Sequence, residues 1–111
     1  MISLKPGVRI QGVRPEILFA VVVVHGVWAA NKIEAVITSC VEGKHKRASK
    51  HYIGCAFDVR LKNVPKPARG GFVHEVEESL GEDFDVIWEG EGELWEHLHV
   101  EYDPKQPLAG D

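Results

Sequence analysis

Cysteine is scarce in this chain, and its scarcity removes whole classes of site. Only two occur, Cys40 and Cys55, and no CxxC pair is present, so a thiolate zinc knuckle is excluded. Two cysteines do not make a disulfide scaffold. Both read as small buried apolar groups, with a Cys40–Cys55 bond as the less favoured alternative. Long hydrophobic runs are missing too: the run from Ile17 to Val24 is far too short to cross a bilayer. Met1-Ile2-Ser3-Leu4-Lys5-Pro6 lacks the charged segment and apolar stretch of a signal peptide, so the expected location is the cytoplasm. Excess positive charge is also lacking. A net charge of −4 argues against nucleic acid as a general partner, because phosphate binding needs a basic face. The run Lys44-His45-Lys46-Arg47 is a local exception.

What is present fits one globular domain over residues 1–111, with its core over about 15–102, expected to be a monomer. A hydrophobic fraction of 44% and a charged fraction of 27% are ordinary for such a domain. Val8-Arg9-Ile10 reads as a short strand after the Pro6-Gly7 turn signal. Pro15 and Glu16 suit the first turn of a helix running to about Asn31. Its apolar positions Ile17, Val21, Val24 and Trp28, with Leu18, Val22 and Ala29, recur at helical spacing. Ala35 to Ser39 and Ala56 to Leu61 read as strands. In the second of these, Ala56, Asp58 and Arg60 share one face, while Phe57, Val59 and Leu61 face the core. Phe72, Val76 and Leu80 mark a second helix, with Gly70-Gly71 within or before it and Gly81 just past its end. Phe84 to Trp88 and Leu94 to Tyr102 complete the set as strands, joined by an acidic, glycine-rich loop. The class is therefore α+β: an antiparallel sheet of about four strands with two helices on one face.

The chain is organised around Ser49-Lys50-His51-Tyr52-Ile53-Gly54-Cys55-Ala56-Phe57-Asp58. His51 and Asp58 stand seven residues apart across Gly54, which permits a sharp turn. Glu96-His97-Leu98-His99 offers more of the same chemistry. His51, Asp58 and His99 make a donor set for zinc, leaving a fourth position open. Ser49 can fix the loop by a hydrogen bond. Glu96 is the candidate general base, although residues three apart on a regular strand face opposite ways. It can reach the metal only from a bend at the strand's start, and Glu93 and Glu101 are the alternatives. His97 is either a fourth ligand or a donor to a developing oxyanion. The plain alternative is that these histidines are scattered surface residues.

Ser49, His51, Gly54, Ala56 and Asp58 match an S-x-H-x-x-G-x-A-x-D pattern, and Glu96 and His99 match an acid-x-x-His element. In these residues the chain resembles the zinc D-Ala-D-Ala carboxypeptidase and L-alanyl-D-glutamate endopeptidase family, whose fold is shared with the hedgehog signalling domain. Its small single-domain members are typical of bacteriophages, where they act as endolysins. The resemblance implies zinc on His51, Asp58 and His99, with Glu96 as catalytic base. It also implies hydrolysis of a peptidoglycan stem-peptide bond next to a D-amino acid, the enzyme reaching the wall after release from the cytoplasm. Many members carry a substrate-holding arginine in a serine-glycine-tyrosine-arginine-like segment. Here that segment reads Ser39-Cys40-Val41-Glu42, and Arg47, Lys44 or Arg60 are the candidates to replace it. The rival expectation is a zinc module of the same fold without catalysis.

Overall fold

The computed structural model describes residues 1–41 and 55–105. The elements follow the order β1 (Ile2–Leu4), α1 (Pro15–Ala30), β2 (Ala35–Ser39), β3 (Ala56–Arg60), α2 (Lys66–Leu80), β4 (Phe84–Glu89) and β5 (His97–Tyr102). The strands form one sheet in the order β1-β2-β3-β5-β4. β1 runs parallel to β2, and every other pairing is antiparallel. The architecture is α+β, but the sheet is five-stranded and mixed. The expected four antiparallel strands miss β1, which forms at Ile2–Leu4 rather than at Val8-Arg9-Ile10. β5 also begins at His97 instead of Leu94, because residues 90–95 turn back on themselves through Glu93 N–H to Gly90 carbonyl and Glu96 N–H to Glu93 carbonyl bonds.

The valine-rich run is helical. Pro15 occupies the first turn, where its missing N–H costs nothing. Asn31 closes the other end by donating its side-chain amide to the Val27 carbonyl at 2.9 Å. Ile17, Ala20, Val24 and Trp28 form the buried stripe, whereas Val22 is 66% exposed. α2 takes Gly70 and Gly71 inside it, and buries Phe72, Val73, Val76 and Leu80. Gly81 ends it at φ +83°, a backbone region that disfavours side chains. No helix among the described residues is long and apolar enough to cross a membrane.

Both helices lie on one face of the sheet. Phe57, Val59 and Leu61 of the β3 segment, with Leu98 and Val100 of β5, meet Ile17, Val24, Trp28, Phe72 and Val76 in one cluster. Trp28 meets Phe72 edge-on at 4.9 Å between centroids. Its buried Nε1 has no hydrogen-bond partner among the described residues. Cys40 and Cys55 are both buried, and the Cys40 thiol donates to the Ala56 carbonyl at 3.7 Å. Trp28→Ala is expected to cost about 3–5 kcal/mol in chemical denaturation. Trp28→Phe is expected to cost distinctly less, since it keeps an aromatic contact and discards an unsatisfied donor.

Candidate metal centre

The sheet face away from the helices carries the polar chemistry. On β5, alternation turns His97, His99 and Glu101 to this face, while Leu98 and Val100 enter the core. β3 flanks them with Asp58 and Arg60, and β4 with Asp85, Ile87 and Glu89. The register sets the neighbours: Asp58 stands opposite His99, and Arg60 opposite His97. On the other flank Glu89 stands opposite His97, and Asp85 opposite Glu101.

His99 sits between two carboxylates. Its Nδ1 lies 2.9 Å from Asp58 Oδ1 and its Nε2 lies 2.8 Å from Glu101 Oε1. That arrangement suits an imidazolium donating at both nitrogens. Burial is the largest single influence and opposes the charge. The hydrogen bonds and negative charges of Asp58 and Glu101 together outweigh it, and the pKa rises from 6.5 to about 9. His97 is held differently. Its Nδ1–H donates to the Trp95 carbonyl at 2.8 Å, which leaves Nε2 3.0 Å from Glu89 Oε1 and 3.7 Å from Asp58 Oδ2. A ring N–H tied to a backbone carbonyl is a usual support for a metal-facing histidine.

One ligand atom each from Asp58, Glu89 and His99 lies within 4.8 Å of the others. Carboxylate oxygens and imidazole nitrogen are donors that zinc takes at about 2.0–2.1 Å. Tetrahedral ligand atoms at that reach stand about 3.3 Å apart, so Asp58 and His99 need to open by only a few tenths of an ångström. A second group, Asp85, Glu101 and Asp103, is also close enough for a cation. There the Lys105 ammonium already supplies the charge, 2.9 Å from Asp85 Oδ1 and 3.4 Å from Asp103 Oδ2. The first group is therefore the better metal candidate.

The structure brings Asp58, Arg60, His97, His99 and Glu101 together as the sequence implied. His51, Ser49, Arg47 and Lys44 lie outside the described residues. Glu93 is exposed in the β4–β5 loop. Glu96 is the correction: its carboxylate is buried and turned to Arg69, whose Nη1 donates to Oε1 at 2.7 Å. Trp88 Nε1 donates to Oε2 at 2.7 Å, and the Gly92 N–H to Oε1 at 3.3 Å. The bend before β5 does not bring Glu96 round to the histidine face. Its carbonyl already accepts the Leu61 N–H at 3.3 Å, which continues the pairing with the β3 segment. Arg69 also donates to the carbonyls of Val64 at 2.8 Å and Lys62 at 3.1 Å. Sequence reasoning missed both Arg69 and Glu89. Extending the alternation of β4 by one residue past Trp88 finds Glu89.

Comparison with protein-family models, curated proteins and solved structures finds no match. The site therefore rests on its own chemistry. Beside Asp58 and His97 opens a cleft of about 380 Å³, bordered by Lys5, Arg60, Lys62 and Trp95. The Trp95 ring lies over Gly90, whose φ is +68°. A Cβ at Gly90 would meet that ring at 2.6 Å, so any side chain there displaces Trp95.

In the metal-free protein, proton NMR should find one histidine titrating near pH 9. Asp58→Asn should return it toward 6.5. Because the folded pKa is raised, the stabilisation is fully present below about pH 6.5 and is lost as pH rises through about 9. Denaturation midpoints across that window should fall in wild type and stay flatter in Asp58→Asn. Arg69→Met or Glu96→Gln should each cost about 3–5 kcal/mol, since either strands a buried charge.

Proposed function

We propose that this protein is a zinc-dependent peptidoglycan peptidase with a hedgehog-like metallopeptidase fold. It hydrolyses a stem-peptide amide bond next to a D-amino acid, of the L-Ala-D-Glu or D-Ala-D-Ala type. One observation carries the reading. Asp58 and His99, 41 residues apart in sequence, meet at 2.9 Å, part-buried, on the sheet face beside a cleft. They belong to the two separate motifs that suggested zinc. His51, Asp58 and His99 would hold the zinc, which would supply Lewis acidity toward the scissile carbonyl. His99 turns Nδ1 to Asp58, and Glu101 accepts its Nε2–H, which orients the ring for a ligand's task.

The chain's remaining groups divide the work. The attacking water must lose a proton to a carboxylate that no buried cation already neutralises. Glu96 is paired with Arg69, so the role passes to Glu89, which lies within 4.8 Å of Asp58 and His99 and faces solvent. Glu89 takes the proton and returns it to the leaving amine. His97 lies with Nε2 3.0 Å from Glu89 Oε1 and so positions that carboxylate on the same face. The enzyme is a monomer, made in the cytoplasm and acting on the wall after release.

A second reading draws on Glu96 itself. With that carboxylate committed to Arg69, Trp88 and Gly92, the same ligands suit a zinc module that binds a partner without hydrolysis. Elemental analysis should find about one zinc per chain, lost in Asp58→Ala and His99→Ala. Mass spectrometry of muropeptides after digestion should show one new amide cleavage. Glu89→Gln should lower kcat by about 10²–10⁴-fold while keeping zinc, and Glu101→Gln should weaken zinc affinity about 10–100-fold. Stoichiometric zinc with intact muropeptides selects the non-catalytic module, and absence of tightly held metal removes both readings.

A further inference from the structure

We infer that the outward side of α1 is a docking face for a cationic amphipathic helix of a partner protein. The occupant lays apolar side chains along Leu18, Phe19, Val22 and Gly26, and turns lysine or arginine toward Glu75 and Glu78 of α2. Neither zinc nor hydrolysis enters here, because the helices and the Asp58–His99 pair lie on opposite faces of the sheet.

α1 is apolar on both sides. Ile17, Ala20, Val24 and Trp28 fill the core. From Leu18 onward the helix turns Leu18, Phe19, Val22, Gly26, Ala29 and Ala30 to water, and none of these is charged or polar. Leu18 is 48% exposed and Phe19 55%. Leu18, Phe19 and Val22 take no part in the core cluster, so the fold itself does not account for them. α2 behaves otherwise: it buries Phe72, Val73, Val76 and Leu80, and sends His74, Glu75, Glu77 and Glu78 outward. A helix at a protein surface shows polar residues opposite its buried stripe, whereas one that is apolar all round is covered on every side.

The ground beside this stripe narrows what covers it. Between α1 and α2 lies a groove of about 370 Å³, passing Val23, Gly26, Val27 and Ala30, with Glu75 and Ser79 on its α2 side. Glu75 is the one charged side chain that lines it. Glu78 follows three residues later, on the same side of α2. Among the described residues neither glutamate makes a hydrogen bond or ion pair, so both are available to an incoming cation. On the other flank, Ile2, Leu4 and Ile10 continue the apolar surface past Leu18 and Val21.

Leu18 to Ala29 spans about 16 Å, or three helical turns. An apolar stripe of that length with acids along one edge matches a helix carrying apolar anchors at spacings of three and four and basic residues along one side. A second copy of this chain brings the same glutamates to the contact, and like charges repel. Anionic lipid headgroups are repelled in the same way.

The test uses the full chain and a labelled 18-residue peptide of leucine and lysine, its leucines at helical spacing. A twin peptide carries glutamate for every lysine. In about 0.15 M salt, wild type should bind the lysine peptide at least about tenfold more tightly than the twin. Phe19→Gln and Val22→Gln should each weaken binding about five- to tenfold. Glu75→Gln with Glu78→Gln should weaken it about three- to tenfold. Gly26→Gln separates docking from folding. A Cβ there meets no atom within 4 Å, and glutamine favours a helix over glycine. Its denaturation midpoint should therefore rise while peptide binding falls at least about tenfold. The inference is overturned by no binding of the lysine peptide at about 100 μM, or by equal binding of the two peptides. Binding that survives both Val22→Gln and Gly26→Gln overturns it too, as does a lysine preference that survives the double glutamate variant. Dimerisation in sedimentation, or pelleting with phosphatidylglycerol vesicles, that Val22→Gln abolishes would give the face to a second copy or to lipid instead.

Discussion

Five residue pairs, from Ala56 opposite Glu101 to Arg60 opposite His97, tie β3 to β5, and the site depends on that register. Side chains on a strand alternate, so a slip of one residue exchanges the two faces. Asp58 and His99 would then face the helices, and Phe57 and Val100 would face water. Burying a side chain the size of phenylalanine or leucine stabilises by roughly 1.5–3 kcal/mol. Phe57, Val59, Leu61, Leu98 and Val100 all gain this only in the observed register. The apolar face thus aligns the polar one, and Asp58 meets His99 without having to hold the strands itself.

The Arg69–Glu96 pair works from the other side of the sheet. Through it, α2, the connector at Lys62 and Val64, Trp88 of β4 and the Gly92 turn all meet immediately before His97. Taking two charges out of water is expensive, and such a pair is weak evidence for added stability. Its geometry gives it another value. With both carboxylate oxygens accepting and the guanidinium bonded to two carbonyls besides, the start of β5 has few alternative positions. The residue that local sequence pattern marked as chemical is thereby part of the scaffold.

Much of the fold was legible because it follows from periodicity. The apolar spacing of Pro15–Ala30 and Lys66–Leu80, and the alternation in Ala56–Arg60, lead to the observed elements. What escaped was set by contacts remote in sequence. Nothing local distinguishes Ile2-Ser3-Leu4 from Val8-Arg9-Ile10 as the strand; pairing with Ala35–Ile37 decides it. The facing of Asp58, His97 and His99 was readable from alternation on two strands. The burial of Glu96 was not, because its cause, Arg69, lies 27 residues away on a helix. Glu89 was hidden by ending β4 at Trp88, one residue early. The helical stripe was also wider in expectation than in fact: Leu18 and Val22 repeat with helical spacing yet stay exposed.

Among the described residues β4 is the last strand of the sheet, and Asp85 and Glu89 lie along it beside the exposed Ile87. A border strand offers unpaired amides and carbonyls to any passing chain, and charge upon it discourages stacking into fibrils. The acids on that border therefore guard solubility whatever else they do. Stripping both charges together would leave isoleucine and bare backbone at the rim, and protein so altered is expected to self-associate as cross-β aggregate before its chemistry can be judged.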